Sequence, residues 1–388
     1  MNKMKNCIYI LLLLAVAFSA VSCVVEEGRL CPEPTRVLLV YMATDNNLAG
    51  YEQEKIQALR DGWTGNPNDR IIVYRDTDNT PARLMEISNL GPNDPVRVIA
   101  TYGLVNSASI ETFSHVVNDV KAMFPADSYG LLLFSHASGW LPSNSLYSPY
   151  DGTSYLQQKD DTRSIVIDGD AEMELKSFAG AIPDSTFDYI VFEACLMACV
   201  EVAYELRNKT PLIFASSAEI LHPGFAPVYA ASTPALLAGD MQGFGQRAFD
   251  HVLTYAENNV IRSATYSVIR TAGLEPLATF IRNNCDPNRE IAINDIQHFD
   301  RLSGYRLFFD LEDYYGRLLD TDYQRAELSR LVAACVPWKA ATPGFMNQSG
   351  SYNGFAINKH SGLTTYIPQT QFPGLNAAYD KTQWKQAI

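Results

Sequence analysis

Two stretches decide the fold. Tyr129–Phe134 (YGLLLF) runs into Ser135-His136, and Phe187–Phe192 (FDYIVF) runs into Glu193-Ala194-Cys195. Each is a short, almost continuous apolar run, as a strand covered on both faces requires. Arg36–Met42 (RVLLVYM), Arg70–Tyr74 (RIIVY) and Pro211–Ala215 (PLIFA) have the same character. Between them the apolar spacing turns helical. It does so over Leu48–Leu59, which Asn46 or Asn47 can cap, and over Ser107–Met123, with Ile110, Phe113, Val117 and Val120 on one side. Glu172–Ile182 reads as a further helix, and another follows Cys195, with Leu196, Val200, Ala203 and Tyr204 on one face. Arg83–Ile87, Val96–Ala100 and Ser164–Ile167 read as shorter strands. Alternating strands and helices predict an α/β fold with a mostly parallel sheet and helices on both faces.

Beyond about Pro234 the pattern blurs. Gly243–Asn258, Leu274–Asn283 and Asp322–Val336 read as helices. Tyr266–Ile269, Gly354–Ile357 and Leu363–Ile367 read as strands. The expectation is a principal α/β domain over residues 35–233. Residues 234–388 then form a C-terminal α+β extension that completes or flanks it.

The chain has 388 residues and a net charge of −13. An apolar fraction of 47% marks it as globular, and the acidic balance argues against nucleic acid as a partner. Seven cysteines are too few for a disulfide-built scaffold. At the start, Lys3 and Lys5 precede an apolar run, Ile8–Phe18, and then Ala20-Val21-Ser22-Cys23. This predicts an export signal over residues 1–22, too short to span a bilayer comfortably. The small residues before Cys23 resemble a bacterial lipobox. Cys23 would then carry the lipid, residues 23–34 would be a tether, and the protein would be an exported, membrane-anchored lipoprotein on the periplasmic side or the cell surface.

In an open parallel sheet, ligands bind beyond the carboxyl ends of the strands. His136 and Cys195 both stand at such ends. A thiol attacks only as thiolate, so it needs a lowered pKa or a neighbouring base. The helix after Cys195 is expected to aim its N-terminal dipole at the sulfur. His136 can protonate a leaving amine. On pattern alone an inert core thiol and a surface histidine remain the alternative. Asp160-Asp161 and Asp168-Gly169-Asp170 lack EF-hand spacing and read as turns and caps. The remaining histidines show no metal-type spacing, and the chemistry requires no cofactor.

The residues around both positions add to this. Phe134-Ser135-His136-Ala137-Ser138-Gly139-Trp140 and Phe192-Glu193-Ala194-Cys195-Leu196-Met197 resemble the His and Cys motifs of clostripain-like cysteine peptidases. Tyr41–Leu48 (YMATDNNL) resembles that family's first strand and turn, and Ser361–Pro368 (SGLTTYIP) is also similar. The resemblance implies a caspase-like α/β sandwich acting on peptide or protein substrates, often after a basic side chain. It implies Cys195 as nucleophile, His136 as acid and base, and the backbone N–H groups of Cys195 and Ala137 as oxyanion donors. It further implies Glu193, Glu219 and Ser217 as pocket residues. The stretch over residues 141–163 reads as a plain surface loop or, as the resemblance implies, a processing loop with self-cleavage at Lys159 or Arg163.

Two residues depart from the family pattern. Ala137 stands where glycine is usual, and alanine takes positive φ only at a cost. Glu193 stands where aspartate is usual. The first departure opens an alternative, a catalytically weak or inactive relative that binds peptide or protein at the cell surface.

Overall fold

In the computed structural model, the described residues are 35–388 apart from 78–79, 88–95, 143–144, 146–163, 170, 302–304 and 348–352. The expected leader, Cys23, the tether, Lys159 and Arg163 lie outside them.

The apolar runs become the middle of a nine-stranded sheet. Strands β1 (Arg36–Ala43), β2 (Asp69–Asp76), β3 (Ala82–Ile87), β4 (Val96–Gly103) and β5 (Ser128–Phe134) come from the first third of the chain. The hairpin β6 (Ser164–Asp168) and β7 (Ala171–Glu174) stands apart from the sheet, and β8 (Tyr189–Glu193) and β9 (Leu212–Ser216) rejoin it. The C-terminal part adds β10 (Thr265–Arg270), β11 (Phe309–Asp310), β12 (Trp338–Ala341), β13 (Gly344–Phe345), β14 (Phe355–Ala356) and β15 (Thr364–Thr365). The sheet order is β12-β10-β9-β8-β5-β1-β2-β3-β4. The five strands from β9 to β2 are mutually parallel, and both flanks are antiparallel. Residues beyond 233 thus supply two strands of this sheet.

Strand alternation divides the core into two layers. Leu39, Tyr41, Leu131, Leu133, Ile190 and Phe192 face one side. There they meet α2 (Ile110–Met123), α3 (Leu175–Ala181), α4 (Val200–Glu205), α7 (Leu274–Asn284) and α9 (Asp322–Cys335), which follows α8 (Leu311–Arg317). Leu38, Val40, Met42, Leu132, Phe134 and Val191 face the other, against α1 (Glu52–Asp61), α5 (Ala226–Ala238) and α6 (Met241–Thr254). Two short helices, α10 (Pro373–Tyr379) and α11 (Gln383–Ala387), close the chain.

Three elements differ from the sequence reading. The first helix starts at Glu52 rather than Leu48, and Tyr51 occupies its N-cap without a side-chain bond. Asn46 instead accepts the Leu48 N–H at 2.9 Å and donates to the Ile167 carbonyl at 2.8 Å, so its side chain ties a turn. Residues 172–174, read as the start of a helix, pair with β6 instead, Glu172 opposite Ile167 and Met173 opposite Val166. Helix α5 went unread. Its exposed stripe is Pro227, Ala230, Ala231, Pro234 and Ala238, so no polar residue marks its period.

Candidate active site

Phe134 pairs with Glu193 across β5 and β8. His136 and Cys195 each lie two residues beyond that pair, so adjacent parallel strands deliver both to one edge. They line one cavity of about 680 Å³, together with Asn47, Ser138, Glu172, Glu219, Asp300 and Arg301. A narrower pocket of about 110 Å³ also opens beside both residues and ends at Lys55, Glu193 and Gly224.

The His136 loop is pinned from beneath. Ser135 Oγ accepts the Ile167 N–H at 3.1 Å, and the Ile167 carbonyl also holds Asn46. This brings the β1 turn against the imidazole, where His136 Nε2 bonds Asn47 Oδ1. An amide oxygen only accepts, so Nε2 carries the proton and Nδ1 is left as the basic nitrogen. Burial holds the imidazole below its ordinary pKa of 6.5, so it is neutral at pH 7. Asn47 was read only as a helix cap. Its position next to Asn46 after an apolar strand was the available signal, but its partner lies 89 residues away.

The Cys195 loop is built differently from expectation. Helix α4 starts at Val200, not directly after the thiol, so its first turn is too remote to act on the sulfur. The intervening residues are held by the sheet and the C-terminal part. Leu196 N–H donates to Ala218 O at 3.0 Å and Ala198 N–H to Ser216 O at 2.9 Å, while Thr364 N–H donates to Ala198 O at 2.8 Å. Buried Glu201 accepts from Thr365 Oγ1 and Tyr366 N–H, both at 2.9 Å. Leu196 sits at φ 62°, an uncommon conformation for a branched residue, and it fixes the turn directly after the thiol. Gly139 makes close packing of the two loops possible. Its φ is +64°, and a Cβ there would stand 2.8 Å from the Leu196 carbonyl.

Burial pushes the Cys195 thiol up to about 12, and Glu219 adds to the rise. The Ile220 N–H and Arg301 oppose it. Both shifts favour the uncharged forms of the thiol and the imidazole. Ala137 is not among the described residues with positive φ, so replacing glycine there imposes no backbone strain. Among the described residues, neither the Ala137 N–H nor the Cys195 N–H is paired with a protein acceptor.

Of the residues read as the substrate pocket, Glu219 lines the wide cavity and Glu193 the narrow one, each with a partner from this chain. Glu193 is buried and bonded to Lys55 Nζ at 2.6 Å, and it accepts the Phe225 N–H at 2.7 Å and the Tyr229 hydroxyl. Glu219 meets Arg301 through two bonds of 2.5 and 2.9 Å. Ser217 does not line either cavity. It is fully buried, with Oγ 3.3 Å from His360 Nε2. Among the described residues there is no cluster of three or more metal-binding side chains. No described helix is long and apolar enough to cross a membrane.

Fold and site together are those of a caspase-like sheet with a cysteine and a histidine at adjacent strand ends. The model of the clostripain family (peptidase C11) matches residues 40–283, and the chain belongs to that family. It is similar to clostripain of Hathewaya histolytica, 24% identical in an alignment of 218 residues that covers 48% of this chain and 40% of that protein. The match thus spans about two-fifths of the length of that curated relative. Among solved structures, an inactive zymogen C11 protease from Parabacteroides distasonis superposes with a TM-score of 0.76 and 29% identity, over 92% of this chain and 99% of that one. A secreted C11 cysteine protease from Bacteroides thetaiotaomicron, in complex with an irreversible peptide inhibitor, gives 0.76 and 25% identity, over 91% and 99%.

Proposed function

We propose that the protein is an exported, lipid-anchored endopeptidase in which Cys195 and His136 act as a catalytic pair. The observation that carries this reading is the Phe134–Glu193 pairing, which sets both side chains on one cavity. With the uncharged forms favoured, His136 Nδ1 takes the thiol proton as the sulfur attacks the peptide carbonyl. The C–O electron pair moves to oxygen, and the Cys195 and Ala137 N–H groups stabilise the oxyanion. Collapse breaks the C–N bond, and the imidazolium gives its proton to the departing amine. Water then attacks the thioester, again losing a proton to His136. The carboxylic acid leaves and the thiol is restored.

The similarity to a secreted relative with a peptide inhibitor supports peptide as the substrate and export as the destination. Cys23 as the lipid attachment point rests on the sequence around it. Cleavage within residues 141–163 belongs to the same proposal.

The test is an electrophilic peptide probe on purified full-length protein, read by mass spectrometry. Labelling at Cys195, lost in Cys195→Ala and strongly reduced in His136→Ala, is expected. Peptide binding with neither labelling nor turnover would instead establish the binding-protein alternative. For the anchor, Cys23→Ala is expected to move the protein from the membrane fraction to the soluble one. An unchanged distribution would refute lipidation at that residue.

A further inference from the structure

The sheet order sets the two reacting groups in a row along one edge. The parallel neighbours β9, β8, β5 and β1 run on into Glu219, Cys195, His136 and Asn47, in that order, and all four residues line the wide cavity. The β6–β7 hairpin is tied to the Asn47 end of this row. Asn46 donates to the Ile167 carbonyl at 2.8 Å, Ser135 Oγ accepts the Ile167 N–H at 3.1 Å, and the Gly169 N–H donates to the Asp45 carbonyl at 2.8 Å. Glu172 pairs across the hairpin with Ile167, and both line the cavity.

The carboxylates of this cavity differ in what they already hold. Glu219 meets Arg301 through two bonds of 2.5 and 2.9 Å. Asp300 is 2% exposed and accepts the Leu307 N–H at 2.7 Å. Glu172 is half-buried, and among the described residues no donor or cation bonds it. Asp168, on β6, and Asp45 repel one another across the hairpin turn, so this end of the cavity is acidic beyond Glu172 itself.

We propose that Glu172 is a specificity-determining residue for the leaving half of the substrate. It takes a basic side chain at the first or second position on the amine side of the bond that is cut. The inference rests on Cys195 as nucleophile and on His136 as the acid that protonates the leaving amine, as argued above. The sulfur binds the acyl carbon, so the acyl half lies over Cys195. The departing nitrogen has to come within hydrogen-bond reach of the imidazole. The amine half therefore runs out past His136, toward the β6–β7 hairpin. A cationic side chain arriving there finds a carboxylate with no partner to displace, whereas an acidic one meets like charge. Glu219, on the far side of Cys195, faces the acyl half by the same reasoning, so the two carboxylates serve different halves of the substrate.

The experiment uses full-length protein and internally quenched peptides that share one acyl half, the best cleaved in a positional library. The first and second amine-side residues are varied in turn among lysine, norleucine and glutamate. Norleucine has the length of lysine without the charge. At one of the two positions kcat/KM is expected to be about three- to tenfold higher for lysine than for norleucine, with glutamate lowest. Glu172→Gln keeps the shape and loses the charge, and is expected to bring that ratio to about one. Glu172→Lys is expected to make glutamate preferred over lysine. Electrophilic probes that carry an acyl half alone are read in parallel at Cys195. Their relative labelling rates for basic and neutral acyl residues are expected to be the same in wild type and Glu172→Gln, which a general disturbance of the site would not allow. A wild-type protein that does not distinguish lysine from norleucine at either position would overturn the proposal while leaving the peptidase reading intact. So would an unchanged ratio in Glu172→Gln, or a change confined to the acyl-side probes. No cleavage, together with no labelling of Cys195 by any probe, would overturn both.

Discussion

The Lys55–Glu193 pair has a consequence for stability that is independent of any substrate. Lys55→Met keeps most of the side-chain volume and removes the ammonium. Glu193 then remains buried at 3% exposure with only the Phe225 N–H and the Tyr229 hydroxyl as donors. Breaking one side of a buried pair costs about 3–5 kcal/mol. Because two donors remain and little cavity forms, the lower part of that range applies, about 3–4 kcal/mol. Residues Thr35–Ile388 form one compact unit. For its size, at ~2.1 cal/mol/K per residue, this corresponds to a fall in Tm of about 4–5 °C. Glu193→Gln on top of Lys55→Met removes the stranded charge but keeps an acceptor for Phe225. The double variant is expected to lie within about 1.5 kcal/mol of wild type. Denaturant titration of wild type, both single variants and the double closes the cycle. A single variant within about 1 kcal/mol of wild type, or a double variant no better than Lys55→Met, would refute the view that Glu193 depends on Lys55.

Four further outcomes are expected. The acid limb of kcat/KM is expected below pH 6.5, because burial lowers His136 and activity is lost only as pH falls through that depressed value. Asn47→Asp, by placing a carboxylate on Nε2, moves that limb upward, whereas Asn47→Ala lowers kcat/KM about ten- to hundredfold; a limb unmoved by Asn47→Asp removes Asn47 as a positioning residue. Burial raises Asp76 from 3.8 to about 6, against the opposing bond from Ser107 Oγ. Since the folded value is the higher, its contribution is fully present below about pH 4 and disappears as pH rises through 6. Asp76→Asn is therefore expected to stabilise at pH 8 by about 1–3 kcal/mol and not at pH 4, with equal effects at both pH values counting against it. Gly224→Ala drives a Cβ into Glu193 at φ +64° and is expected to destabilise by about 2–4 kcal/mol in denaturant titration, while a neutral result would show that the loop can move away.

Much of the frame was legible before folding. Strands such as Val37–Met42 and Leu131–Phe134 are buried on both faces, so every position is apolar and the run announces itself. His136 and Cys195 were legible as strand-end residues for the same reason. Helix α5 was hidden because its exposed stripe, Pro227, Ala230, Ala231, Pro234 and Ala238, carries no polar residue, which erases the period. Strand β7 was hidden because Glu172–Ile182 does have helical spacing, and only pairing with β6 overrides it over residues 172–174.

The sequence by itself determined the apolar runs, their alternation with helices, and the two strand ends that carry a thiol and an imidazole. These follow from local pattern, which needs no knowledge of distant residues. Only the tertiary structure decided the electrostatics. Lys55 meets Glu193 across 138 residues of chain, Arg301 meets Glu219 across 82, and Asn47 meets His136 across 89. A charged side chain has no periodicity that names its partner. Whether a carboxylate waits for substrate or is satisfied from within depends on which helix or loop packs behind it, and that is fixed only when the layers close.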